Sequence, residues 1–99
     1  MLTINKTIED GKAVFTLEGR LDTTTAPMLE KELKEALPGV NDLTLDFADL
    51  EYISSAGLRV LLAAQKIMNR QGQMKIVCVN EIVREVFDVT GFSDILTIL

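Results

Sequence analysis

LTLDFADLEYISSAGLRVLL, residues 43–62, runs an apolar strand pattern into a Ser-Ser-Ala-Gly turn and then into an amphipathic helix. The strand covers residues 42–47. After Ser55 the apolar period lengthens to that of a helix, with Leu58, Leu61, Leu62, Gln65 and Met68 on one stripe and Val60, Ala63, Ala64 and Ile67 widening it. So broad a stripe predicts a helix buried on more than one side. The junction stands Ser54 and Ser55 on a helix N-terminus, which carries about half a positive charge and several N–H groups without partners. A phosphate is held well at such a point.

Outward from this junction the chain alternates strands and helices. Residues 2–8 and 13–17 alternate apolar and polar side chains around Asp10-Gly11, which predicts an opening hairpin. The pattern changes from Gly19. A polar loop, Arg20-Leu21-Asp22-Thr23-Thr24-Thr25, leads into a helix opened by Ala26-Pro27, with Met28, Leu29, Leu33, Ala36 and Leu37 on its apolar face and a Glu30/Lys34 pair on the other. Pro38-Gly39 ends it. After the helix that follows Ser55, Gly72 marks a break, residues 74–79 (MKIVCV) read as a buried strand, and Cys78 within them as a small buried filler. Asn80 caps a third helix carrying Ile82, Val83, Val86 and Phe87, Thr90-Gly91 closes it, and residues 95–99 form a short final strand.

The order β-β-α-β-α-β-α-β predicts an α/β fold, a mostly parallel mixed sheet of about five strands with right-handed crossovers over three helices. The 99 residues, 47% of them hydrophobic, make a single domain spanning 1–99. Functional residues then belong on the loops where strands finish and helices begin. Asp22 to Thr25 and Ser54 to Gly57 are the two candidates.

Composition excludes much chemistry. The chain has no histidine, so the usual general base, proton shuttle and zinc ligand are missing. Its one cysteine forms neither an internal disulfide nor a CxxC pair, which fits a reducing compartment. The net charge of −5 offers no basic stripe to nucleic acid or anionic lipid. With no signal segment and no apolar run near the roughly 20 residues of a membrane helix, the expected location is the cytoplasm. Asp46 falls in a strand pattern, and Asp49 and Glu51 in a turn without the glycine spacing of a calcium loop. They predict a solvated acidic edge, with no metal or cofactor.

The segment DFADLEYISSAGLRVLL, residues 46–62, resembles the signature of the STAS family, the fold of bacterial anti-sigma factor antagonists. GRLDTTTAP, residues 19–27, looks like the family's G-x-L-D loop entering the first helix, and VFDVTGFSDIL, residues 86–96, resembles its closing segment. The resemblance covers essentially the whole chain. It implies a protein that, unmodified, binds an anti-sigma factor which is also a serine kinase, and so frees the sigma factor. Phosphorylation of a serine at the start of the second helix ends the binding, and a PP2C-type phosphatase restores it.

By position that serine is Ser55, two residues before Gly57, while Ser54 stands where many relatives have aspartate and Ala56 where many have Ser or Thr. Asp22, Thr23, Thr24, Ser54, Ala56, Gly57 and Leu58 are the expected partner-binding residues, and the free chain is expected to be a monomer. Read from the residues alone, a serine at this junction is a structural N-cap, Gly57 a packing glycine and Asp22 a capping acid. Two alternatives accompany the resemblance. The chain is a non-catalytic scaffold subunit of a lipid-transport or stress-signalling complex whose serine is never modified, or Ser55 is an enzyme nucleophile. The last lacks an identifiable base, and Ile53 stands where a nucleophile elbow needs glycine.

Overall fold

Asp10 and Gly11 both take positive φ, 51° and 78°, the backbone that a tight hairpin turn requires. In the computed structural model, which describes residues 1–99, this turn joins β1 (Leu2–Glu9) to β2 (Lys12–Leu21). The chain continues through α1 (Ala26–Ala36), β3 (Asp42–Ile53), α2 (Ser55–Gln71), β4 (Gln73–Val77) and α3 (Glu81–Thr90) to a 3-10 turn at Phe92–Asp94. The sheet order is β1-β2-β3-β4. β1 pairs antiparallel with β2, while β2–β3 and β3–β4 are parallel.

The elements follow the expected chain order and the sheet is mixed and mostly parallel as expected, but it has four strands. The expected fifth is reduced to one bridge, Ile76 to Ile98, with the Ile76 amide donating to the Thr97 carbonyl at 2.9 Å and the Leu99 amide to the Ile76 carbonyl at 2.9 Å. The 3-10 turn consumes the preceding residues and leaves too little chain for a strand.

Two strands run further than expected, and the extra length builds the site. β2 passes through Gly19 to Leu21, and β3 continues beyond Phe47 to Ile53. The pairing steps from Thr16–Asp46 to Glu18–Asp49, and from Gly19–Leu50 to Arg20–Tyr52, so β3 carries an extra residue at each shift. At the first, Asp46 Oδ1 accepts the Ala48 amide at 2.9 Å. Each bulge resets the alternation, so that Leu43, Leu45 and Phe47 are followed inward by Leu50 and Ile53. Asp49 and Glu51 therefore lie in a strand rather than a turn. The register ends with Leu21 beside Ile53.

The inward residues of the strands and the buried residues of the three helices form one core cluster. Phe47 and Phe87 meet in it with ring centroids 6.4 Å apart. The other sheet face carries half-buried or exposed side chains such as Val14, Thr16, Thr44 and Lys75. α1 buries Ala26, Leu29, Leu33 and Ala36, whereas Met28, expected on that face, is 49% exposed. α3 buries Val83 and Phe87 and leaves Ile82 exposed. Its cap is Asn80, whose Oδ1 accepts the Val83 amide at 2.9 Å while Nδ2 donates to the Leu50 carbonyl at 2.6 Å.

Cys78 is exposed, contrary to the buried filler expected. Strand pairing stops at Val77 opposite Asp46, and the chain turns at Cys78 with φ of 60°, carrying its side chain out of the sheet. No helix is long and apolar enough to cross a membrane.

Candidate functional site

The parallel ends of β2 and β3 deliver both candidate loops to one edge. The Ser54 amide donates to the Leu21 carbonyl at 2.9 Å, so Asp22 and Ser54 leave the sheet side by side. Backbone conformation then divides the two serines. Ser54 is extended, with φ −100° and ψ 175°, and its Oγ accepts the Gly57 amide at 3.4 Å, which makes it the N-cap of α2. Ser55 is the first helical residue and is exposed. Its hydroxyl takes no part in the cap.

Beneath the turn, Gly57 is buried against the strand ends. A Cβ there would meet Leu21 Cγ at 2.8 Å and Ile53 Cγ1 at 2.9 Å, so the first turn of α2 sits on the sheet with no room for a side chain. Leu58 is only 6% exposed. Gly57 and Leu58, expected among the partner-binding residues, are both buried beneath this turn in the free chain.

In the other loop, Asp22 organises the entry to α1. Its Oδ1 accepts the Thr24 hydroxyl at 2.8 Å, the Thr24 amide at 3.0 Å and the Thr25 amide at 3.1 Å. The buried Thr25 accepts the Asp22 amide at 2.8 Å and donates its hydroxyl to the Arg20 carbonyl at 2.8 Å. The Arg20 guanidinium lies 4.4 Å over the Tyr52 ring, with Nε 3.9 Å from Asp22 Oδ2. The Thr24 hydroxyl chiefly, with the Thr25 and Thr24 amides, holds the Asp22 carboxyl below the ordinary aspartate value of 3.8.

This sets the sign of an acid effect. A carboxyl lowered in the folded state adds stability that is present above its unfolded pKa, near 3.9, and is lost as pH falls through the folded value. Thr24→Val removes the largest cause. In a carbon-detected NMR titration the Asp22 midpoint moves up toward the ordinary value, and an unmoved midpoint would show that the amides and the Thr25 hydroxyl hold the carboxylate without the Thr24 hydroxyl.

The exposed Thr23 and the half-buried Ala56 meet across a shallow groove between the starts of α1 and α2, with Ala26, Pro27, Glu30, Arg59 and Val60 completing its lining. In the sequence Glu30 reads only as the partner of Lys34, and Arg59 is not among the expected site residues. Arg59 carried a signal, since it follows Ser55 by one helical turn. The first turn of α2 contains no acidic residue, so nothing within it opposes an anion on Ser55.

The model of the STAS domain matches residues 3–99. BtrV of Bordetella bronchiseptica, whose name marks it as a candidate anti-sigma factor antagonist, is 38% identical over 98% of this chain and 84% of its own length. The anti-sigma-B factor antagonist of Bacillus subtilis is 31% identical over 83% of this chain and 76% of its own. The crystal structure of an anti-sigma factor antagonist from Mycobacterium paratuberculosis superposes with a TM-score of 0.89 at 23% identity, covering 99% of this chain and 85% of that one.

Proposed function

The chain belongs to the STAS domain family, and from that premise we propose that it is an anti-sigma factor antagonist switched by phosphorylation of Ser55. Unmodified, it binds an anti-sigma factor that is also a serine kinase, and the sigma factor is released. The kinase transfers the γ-phosphoryl group of ATP to Ser55 Oγ, with loss of the hydroxyl proton and departure of ADP, and the modified chain dissociates. A PP2C-type phosphatase hydrolyses the ester, returning the hydroxyl and inorganic phosphate. In this reading the chain performs no chemistry of its own, acts in the cytoplasm as one small domain, and docks through Thr23, Ala56 and the neighbouring groove.

One observation carries the choice of acceptor. Of two adjacent hydroxyls, Ser54 is engaged as the helix cap, and Ser55 is exposed at the first helical position with its oxygen free. A kinase needs an accessible nucleophile. Phosphorylation adds about −1.5 to −2 charges, and the helix end stabilises them in the free chain by on the order of 1 kcal/mol. In an interface the same dianion must be desolvated.

Incubation with ATP and the kinase tests this. Ser55→Ala abolishes the phosphate-sized mass increase on the intact protein, whereas Ser54→Ala retains it and loses about 1 kcal/mol of stability with the cap. Retention of the increase in Ser55→Ala would move the switch elsewhere. No increase in the wild-type chain would favour a scaffold subunit that is never modified.

A further inference from the structure

We propose that Arg59 is the intramolecular partner of the phosphate on Ser55, so that modification both adds a dianion to the docking surface and withdraws a cation from it. This rests on the reading of Ser55 as the modified residue and assigns a role to a second side chain of the same site.

Arg59 stands four residues after Ser55 on α2 and is exposed. The ion pairs of the chain are Lys6–Glu32, Arg20–Asp22, Lys34–Glu30 and Lys75–Asp42, which leave Arg59 unpaired. Helical side chains lean toward the N-terminus of their helix, so a long side chain at position 59 covers the turn that begins at Ser55. An anion N-terminal to a cation at this spacing is the favourable order. The planar guanidinium also matches phosphate oxygens in pairs.

The neighbouring charges single out the same residue. Arg20, the other cation at this edge, is held over the Tyr52 ring and beside Asp22. Glu30 lines the groove from α1 and Asp22 stands in the loop beside Ser54; both are anionic and repel a phosphate. Arg59 alone among these groups attracts it without giving up a partner. Before modification, Arg59 shares the groove with Thr23, Pro27 and Glu30 and is offered to an acidic side chain of the bound protein. After modification it turns back along its own helix.

The test uses the full chain with phosphoserine installed at position 55 during translation, titrated by phosphorus NMR. Against a second ionisation near pH 6 for an unperturbed phosphoserine, the wild-type midpoint lies lower, and Arg59→Gln raises it by about a few tenths of a pH unit, the size expected of an exposed helical pair. Arg70→Gln, which removes an exposed cation at the far end of α2, leaves the midpoint in place. Equal midpoints for the wild type and Arg59→Gln, or equal rises in the two variants, overturn the proposal. Because the phosphate is installed without a kinase, such a result refutes the role of Arg59 alone, while failure of the kinase to modify Ser55 refutes only the earlier reading.

Discussion

Gly57→Val lowers the melting temperature by about 4–24 °C, since overpacking a buried site costs about 1–3 kcal/mol and each kcal/mol shifts a domain of this size by about 4–8 °C. The atoms in the way cannot step aside. Leu21 is fully buried and Ile53 is 3% exposed, and the contacts at 2.8 and 2.9 Å fall on Leu21 Cγ and Ile53 Cγ1, inner carbons of these side chains rather than flexible ends. Relief comes from lifting the first turn of α2 off the strand ends. That movement breaks the Ser54 cap on the Gly57 amide and displaces Ser55 and Arg59 together. The variant therefore loses partner affinity as well as stability, and thermal unfolding by circular dichroism with a binding titration measures both. An unchanged melting temperature and affinity would make the glycine incidental.

The strength of that coupling depends on a register that the sequence only partly discloses. Strict alternation made β1 and the first half of β2 legible, and Asn80 and Gly91 punctuated α3 as read, Gly91 with φ of 81° at its C-cap. Beyond Phe47 the period of two fails because extra residues on β3 reset it, so Asp49 and Glu51 resembled a turn. The bulges are properties of a pairing between two strands. Neither strand announces them alone. The exposure of Cys78 has a related cause: the apolar run continues past the point where β4 pairs with β3, and burial ends with the pairing.

At the site, the strand-to-helix junction was visible because it needs only a change of period. Which of the two serines caps the helix is not legible from the residues themselves: the resemblance points to Ser55 as the acceptor, but adjacent serines have identical chemistry, and only the backbone angles at position 54 decide which hydroxyl turns inward to cap. The groove was hidden too. It joins Glu30 on one helix to Arg59 on another, and sequence spacing carries no information about faces that meet only through the sheet beneath them.

Ser55→Asp separates stability from binding. A carboxylate in the first turn of α2 meets the positive end of the helix dipole, which contributes about 0.3–1 kcal/mol, so the variant folds and melts at or slightly above the wild-type temperature. Within the proposed docking footprint the same charge must be stripped of water against the partner, and this penalty of several kcal/mol has no counterpart in the free chain. The affinity for the anti-sigma factor falls by about a hundredfold, equivalent to roughly 2.7 kcal/mol, and by more for the phosphate with its larger charge. Ser55→Ala binds like the wild type, since it removes the acceptor without adding charge. Calorimetric titration of the three chains with the kinase checks the order. Equal affinities for Ser55→Asp and the wild type would mean that the residue lies outside the footprint, and a switch made by local charge would then fail.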